Sequence, residues 1–226
     1  MTDISETLLW ALPLILAVIL HEIAHGYVAL LLGDTTAKEM KRLSLNPLRH
    51  ADMTGTFLFP LFLVLSKSPF VFGWAKPVPV DFRRLGKPKR DMVWVALAGP
   101  AMNLFQVLCA FSILSFCQNV SHTEPSVWTQ RFFVNLIILN LSVMMFNLIP
   151  ILPLDGGRVL TGLLPLPWAV RFSKTERYGF FIIAFLLILL PLLGNYIGRD
   201  FDFISRFLAF AVQNLVTFFA GLFGLM

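Results

Sequence analysis

Charged residues are scarce in this sequence. Asp, Glu, Lys and Arg make up 14% of its 226 residues, whereas about a quarter of the residues in a soluble domain are charged. Hydrophobic residues make up 57% of the chain, and several apolar runs reach the roughly 20 residues that a membrane-spanning helix needs. The composition therefore excludes an ordinary soluble domain and predicts an integral, multi-pass membrane protein in contact with the lipid bilayer.

Cysteine is nearly absent, and so is any basic patch interleaved with aromatic residues. The two cysteines, Cys109 and Cys117, lie in one apolar stretch, where a helix would separate their Cα atoms by roughly 12 Å. A disulfide requires less than about 7 Å, so we expect none here. We also predict no nucleic-acid partner, because the net charge of +5 is explained by basic loops lying against anionic lipid.

The N-terminal residues lack the basic charge of a secretory signal, since residues 1–6 contain Asp3 and Glu6 but no Lys or Arg. We therefore expect the first apolar run to remain as a span that stops at Gly33 and Asp34. Six apolar segments are candidate spans: 7–33, 54–72, 92–117, 131–152, 178–197 and 203–225. They predict one all-α membrane domain over residues 1–226, with a core at about 8–160 and C-terminal spans at about 178–226.

Two of the connecting segments leave alternatives open. Segment 54–72 contains Pro60 and a polar cluster, so it either crosses the bilayer or re-enters it, which gives six spans, or five spans and a re-entrant segment. If 54–72 crosses, the excess of Lys and Arg in loops 73–91 and 153–177 favours an N-terminus on the inside. Pro77 and Pro79 alternate with valines, a pattern typical of an edge strand, and this predicts a small β-like interfacial element.

The first apolar run carries His21, Glu22 and His25 in its middle, in the pattern H-E-x-x-H. Ionisable groups are costly in hydrocarbon and usually mark function there. Residues four apart share one face of a helix, so both imidazoles can bind one metal ion while Glu22 reaches a metal-bound water. Because a catalytic zinc site uses three protein ligands and leaves one position for water, the motif requires a third ligand elsewhere. The competing interpretation is a pair of histidines with satisfied hydrogen bonds in a helical bundle.

The third ligand is expected in "NLIPILPLDGGR", residues 147–158. Pro150 and Pro153 interrupt helical hydrogen bonding, and Gly156 and Gly157 permit tight backbone turns, so Asp155 lies on a locally unwound segment. Alone, Asp155 would be explained as the cap of the next helix. Beside a two-histidine helix that lacks one ligand, the carboxylate is better explained as the third.

These motifs resemble the site-2 protease family of intramembrane zinc metalloproteases. The resemblance rests on HEIAH and NLIPILPLDGG, together with "LSLNPLRHAD" (43–52), "FGWAKPVPVDF" (72–82) and "ALAGPAMNL" (96–104), which occur in the order that the family's compact bacterial members show. It implies one Zn²⁺ per chain, His21, His25 and Asp155 as its ligands, and Glu22 as the catalytic base. It also implies a bacterial inner-membrane protein without PDZ or CBS domains, and Asn147 as a stabiliser of the oxyanion, although Leu148 stands where many members have proline.

The implied activity is hydrolysis of peptide bonds in membrane-spanning substrates, proteins or peptides, by a Glu-assisted zinc-bound water. Two other classes remain open: a catalytically inactive zinc-binding scaffold and a metal transporter. A transporter would need a polar path across several helices, and Glu22 would be superfluous in a scaffold. Segment 72–82 would either offer a strand edge to an unwound substrate or form a purely structural hairpin.

Three further polar residues receive structural interpretations. Asn103 follows Gly99 in an apolar helix, where it could bond between helices or orient the site, and we favour packing. His50 lies in a polar loop, so we expect a surface or interfacial histidine outside the metal set. Arg158 could pair with a carboxylate, but snorkelling to lipid headgroups is the default expectation.

Overall fold

The computed structural model describes residues 4–58, 61, 62, 65, 75–120 and 126–225. Within these residues the structure is helical and contains no β-strand. Five helices of the described chain are long and apolar enough to cross a membrane: Ile4–Leu31, Pro88–Gln118, Val127–Asn147, Glu176–Gly194 and Phe203–Leu222. They confirm five of the six predicted spans. The remaining prediction, for segment 54–72, falls largely outside the described residues and stays a prediction.

We number the α-helices in chain order. They are α1 Ile4–Leu31, α2 Thr36–Glu39, α3 Pro88–Ser115, α4 Val127–Asn147, α5 Asp155–Leu163, α6 Leu166–Ser173, α7 Glu176–Ala184, α8 Leu190–Tyr196 and α9 Phe203–Leu222. A π-helical turn, Phe185–Leu189, joins α7 to α8 in one long apolar segment. Short 3₁₀ turns, Pro47–Arg49 and Phe82–Arg84, lie in the loops before α3.

Helix α1 stops where its sequence predicts. Gly33 has a φ of 108°, a left-handed conformation that glycine adopts without the steric cost a Cβ would bring. The turn is closed by hydrogen bonds from Asp34 N–H to the Ala29 carbonyl (2.9 Å) and from Gly33 N–H to the Leu30 carbonyl (3.2 Å). This is the usual glycine termination of a helix, and it places the buried Asp34 directly after the last turn of α1.

Helices α1, α3 and α4 pack against one another, and α5 packs against α3. Leu141 and Val107 are fully buried in the cluster between α3 and α4, which α9 covers through Val212. Helix α4 ends at Asn147, and a run of turns leads to Asp155 at the start of α5. The predicted break in the helix is confirmed, but Asp155 lies in the first turn of α5 and not on the unwound segment itself. The break returns the chain to the face of α3.

The predicted β-like element at the PVPV sequence is wrong. Residues 75–80 pair with no strand in the described structure, since the two prolines have no N–H to donate to a ladder and the N–H groups of Lys76 and Val78 donate elsewhere. Lys76 N–H donates to the His50 carbonyl (2.8 Å), and Arg42 Nη2 donates to the carbonyls of Lys76 (2.8 Å) and Pro77 (3.2 Å). We call residues 75–80 the strap, since hydrogen bonds to His50 and Arg42 fasten them to the loop that follows α1 and α2.

Candidate metal centre

His21 and His25 lie one turn apart on α1, and both are buried among apolar helices. Their ring centroids are 4.6 Å apart, and their Nε2 atoms are separated by 3.0 Å. The spacing of four residues therefore places both imidazoles on the same face, as the sequence predicts.

Asp155, at the start of α5, brings its carboxylate next to both imidazoles. Its Oδ2 lies 3.1 Å from His21 Nε2 and 3.4 Å from His25 Nε2. The approach depends on the two following glycines. A Cβ at Gly157 would lie 2.5 Å from Leu152 N, and one at Gly156 would lie 2.6 Å from the Ile149 carbonyl oxygen. The glycines thus let α5 begin against the turn that precedes it.

Helix α3 forms the third wall of the site, and Gly99 makes room for the two rings. A Cβ built on Gly99 would meet His25 Nε2 and would lie 2.5 Å from His21 Cε1. Carbon atoms make van der Waals contact at about 3.5–4.0 Å, so any larger residue at this position would displace the imidazoles.

Hydrogen bonds at Nδ1 fix the tautomer of both histidines. His25 Nδ1 lies 2.6 Å from the Val95 carbonyl oxygen, which can only accept, so Nδ1–H donates. His21 Nδ1 lies 2.6 Å from Asn103 Oδ1, which is likewise an acceptor. In the neutral imidazoles both Nε2 atoms therefore carry lone pairs, the form in which histidine binds a metal.

Three electron-pair donors thus converge with no hydrogen between them. Within the described structure, Asp155 Oδ2 is buried and accepts no hydrogen bond. A buried carboxylate that accepts no hydrogen bond is costly, and a cation between the three atoms would remove that cost. In a tetrahedral site with ligand distances of about 2.0–2.1 Å, the donor atoms would be about 3.3 Å apart, and the distances here are 3.0, 3.1 and 3.4 Å. The residues therefore fit a metal ion of zinc's size, and no other group of three such ligands occurs among the described residues.

Glu22 points toward the strap. Its Oε2 accepts a hydrogen bond of 2.7 Å from Val78 N–H, and Val78 also covers α1 at Gly26, where an added Cβ would lie 2.8 Å from Val78 Cγ1. A charge-assisted hydrogen bond from a backbone N–H restrains the carboxylate more firmly than a neutral one would. Sequence reasoning missed this contact, because nothing local links residues 22 and 78.

Asn147, the predicted oxyanion stabiliser, is not brought into hydrogen-bond contact with the three ligands. It is half-buried at the end of α4, and its Nδ2 donates to the Val143 carbonyl one turn back at 3.0 Å. Asn103 contacts the site through His21 and also bonds to Ala17 and Asn140 on the neighbouring helices, so it combines the two alternatives that the sequence left open. The available signal was an amide in the middle of an apolar helix, which is costly without a specific partner.

The expectation that His50 is a surface residue was wrong, because it is 2% exposed. Its Nε2 lies 2.7 Å from the Ser44 carbonyl oxygen, and its exclusion from the metal set stands. Arg158 forms an ion pair with Glu176 at 3.2 Å and covers the Phe82 ring at 5.0 Å. Arg158 thus has the carboxylate partner that the sequence left open as the alternative to snorkelling.

Asp34 ties the end of α1 to the loop that follows the strap. Its carboxylate accepts hydrogen bonds from Thr36 N–H (3.0 Å), the Thr36 hydroxyl (2.5 Å) and Asp81 N–H (2.7 Å). Burial alone would raise the pKa of this carboxyl. The hydrogen bonds from Thr36 and Asp81, with a smaller effect of the Arg84 charge, outweigh burial and lower its pKa below the ordinary value.

The fold and the site place the chain in the class of membrane-embedded metalloproteases, because an H-E-x-x-H helix meets a carboxylate from a second helix inside an apolar bundle. The model of peptidase family M50 matches residues 9–190, and the chain belongs to this family, the site-2 proteases. The expected resemblance is thereby confirmed.

Two curated relatives are similar over most of the chain. "Putative zinc metalloprotease YwhC" of Bacillus subtilis (strain 168) is 38% identical over 199 residues, which cover 84% of this chain and 86% of the relative. "Putative zinc metalloprotease Rip2" of Mycolicibacterium smegmatis (strain ATCC 700084 / mc(2)155) is 25% identical over 215 residues, which cover 92% and 80%. No solved structure matches the chain significantly.

Proposed function

We propose that this chain is an intramembrane metalloendopeptidase that holds one Zn²⁺ between His21, His25 and Asp155 and cleaves membrane-spanning substrates. The observation that carries the proposal is the convergence of two imidazole Nε2 atoms and one carboxylate oxygen within 3.0–3.4 Å. Two nitrogens and one oxygen are a ligand set that zinc prefers, and three protein ligands leave a position for water and substrate.

When bound, Zn²⁺ supplies a Lewis acid that lowers the pKa of a coordinated water to about 7. The protein contributes the ligand geometry and the proton transfers. His21 and His25 present Nε2 because Nδ1 is engaged, and Asp155 contributes the negative charge that partly neutralises the cation. Glu22, next to His21 on α1, takes the proton of the attacking water and returns it to the leaving amine.

The strap positions the proposed base. Val78 N–H holds Glu22 Oε2 at 2.7 Å and leaves the second carboxylate oxygen to receive a proton. The proposed role of Asn147 at the oxyanion requires its amide to release the Val143 carbonyl, to which it donates in this structure.

The class of substrate follows from the family and from the depth of the site. Intramembrane proteases act on membrane-embedded proteins, and His21 lies near the middle of the apolar run 7–33, most of which belongs to α1. A substrate helix has to unwind locally before its carbonyl can reach the site, because helical carbonyls are occupied by intrahelical hydrogen bonds. Single-span membrane proteins are therefore the proposed substrates.

The direct test is co-expression of the chain with a panel of tagged single-span proteins, comparing wild type with Glu22→Gln. We expect a fragment that disappears in Glu22→Gln while zinc remains bound, because Glu22 is not a ligand. Glu39→Gln is the matched control, since Glu39 is an exposed glutamate and should leave cleavage unchanged. Cleavage that persists in Glu22→Gln would refute the proposed role of Glu22.

The same variant separates the two other candidate functions. A transporter reconstituted in vesicles would move metal equally well with Glu22→Gln, and a scaffold would produce no Glu22-dependent fragment from any substrate. Either result, obtained with zinc-loaded protein, would overturn the protease proposal.

A further inference from the structure

Two asparagines are completely buried behind the metal centre. Asn103 on α3 and Asn140 on α4 each have 0% of their surface exposed. The proposed mechanism uses the contact of Asn103 with His21 but gives no role to Asn140. An amide in a dry, apolar helix interface is costly unless every donor and acceptor is paired, so the pairing of these two residues is informative.

The amides form a chain that starts at a backbone carbonyl and ends at His21. Asn140 Nδ2 donates to the Leu136 carbonyl at 2.8 Å, and Asn140 Oδ1 accepts from Asn103 Nδ2 at 2.7 Å. Asn103 Nδ2 also donates to the Ala17 carbonyl at 3.2 Å. Asn103 Oδ1 remains, and it faces His21 Nδ1 at 2.6 Å.

The two backbone carbonyls give this chain a single polarity. A carbonyl can only accept, so the NH₂ group of Asn140 has to face Leu136 and its oxygen has to face Asn103. The NH₂ group of Asn103 then faces Asn140 and Ala17, and its oxygen faces the imidazole. Reversing Asn140 would bring its NH₂ group against that of Asn103 and its oxygen against the Leu136 carbonyl. Reversing Asn103 would bring its oxygen against the Ala17 carbonyl and the oxygen of Asn140.

We infer that Asn103 and Asn140 are positioning residues of the metal site, which hold His21 in the tautomer protonated at Nδ1 and so keep the Nε2 lone pair available to the metal. Asn140 acts only through Asn103. The inference rests on the proposed function, because it takes His21 as a ligand, and it deepens that function by adding Asn140, a residue on a fourth helix.

The inference predicts that substituting Asn140 lowers the affinity for the metal although Asn140 does not contact it. Groups that orient a ligating histidine typically contribute 10–100-fold in metal affinity. We therefore expect Asn140→Leu to weaken binding of Zn²⁺ alone by about 10-fold, measured by chelator competition on the purified full chain in detergent. Asn135→Leu is the matched control, because Asn135 is a buried amide on the same helix that donates to the Leu9 carbonyl at 2.8 Å and lies outside the chain to His21.

A double variant tests whether Asn140 acts through Asn103. If it does, Asn103→Leu with Asn140→Leu should bind zinc as weakly as Asn103→Leu alone, within about twofold. A role in helix packing alone would multiply the two losses and would affect Asn135→Leu equally. Either of those results would overturn the inference.

Nitrogen NMR on metal-free wild type, labelled in histidine, gives a readout on the wild-type protein itself. We expect the His21 signals, assigned by their loss in His21→Gln, to show a proton at Nδ1. A ring protonated at Nε2 alone would overturn the inference even if the chain binds zinc and cleaves substrates. Conversely, protein that binds no zinc but shows the Nδ1 tautomer would refute the proposed function and leave the amide chain in place.

Discussion

The three helices that form the core of the bundle, α1, α3 and α4, differ sharply from the C-terminal helices. Helices α1 and α3 each bury ten residues and α4 buries six, whereas α7 and α9 bury one each, Gly179 and Val212. Both groups contain helices apolar enough to cross a membrane. The difference shows that hydropathy alone reports insertion into lipid, while the polar residues embedded in α1, α3 and α4 report which helices must face one another.

The largest predicted effect tests the close packing of the first group. Gly99→Ala would place a methyl group against both imidazoles, so we expect zinc affinity to fall by about 100-fold and cleavage to be lost. Zinc competition and fragment formation measure the two effects. Gly221→Ala, at an exposed position of α9, should change neither. Full metal affinity in Gly99→Ala would show that the three helices are not held as tightly as described.

A second prediction concerns the strap. Val78→Pro removes the N–H that Glu22 accepts from, and a hydrogen bond to a charged group contributes about 1.5–3 kcal/mol. We expect kcat to fall by about 10-fold with zinc content unchanged. Val80→Pro is the control because it leaves the Val78 N–H in place. A rise in activity of Val78→Pro would mean that the strap restrains Glu22 from acting instead of positioning it.

A third prediction concerns Asp34, which follows the end of α1. The lowered pKa of Asp34 means that its stabilisation is complete above the unfolded-state value of about 3.9 and is lost as pH falls through the lower folded-state pKa. Asn at this position accepts fewer strong hydrogen bonds, so Asp34→Asn should lower Tm by about 5 °C at neutral pH. Thermal unfolding between pH 7 and pH 3 should show this difference shrinking at the acidic end. A difference in Tm that stays constant with pH would contradict the lowered pKa of Asp34.

The smallest effect is expected in the second group. Phe210 lies on the exposed face of α9, where lipid would surround it. Phe210→Leu should leave zinc affinity and cleavage within about twofold of wild type, since surface changes away from special features have small effects. A large loss of cleavage with intact zinc binding would assign α9 a role in substrate binding and weaken the contrast between the two groups.

Local patterns in the sequence predicted the parts of the site that depend on local geometry. His21, Glu22 and His25 follow from helical spacing, and Asp155 follows from its isolation among prolines and glycines. The partners of these residues come from tertiary packing. An amide in an apolar helix indicates that Asn103 has a partner, but nothing near residue 103 shows that the partner is His21. The strand predicted for the PVPV sequence does not form, and Val78 N–H instead donates to a carboxylate 56 residues earlier in the chain.

The central claim is that one cation is held by His21, His25 and Asp155, and X-ray absorption at the zinc edge of the purified chain tests it most directly. The account predicts one zinc per chain bound by two imidazoles and by oxygen, with no sulfur, and loss of one imidazole in His21→Gln. Protein that binds no zinc, or a zinc shell that contains sulfur or is unchanged in both His21→Gln and Asp155→Asn, would contradict it.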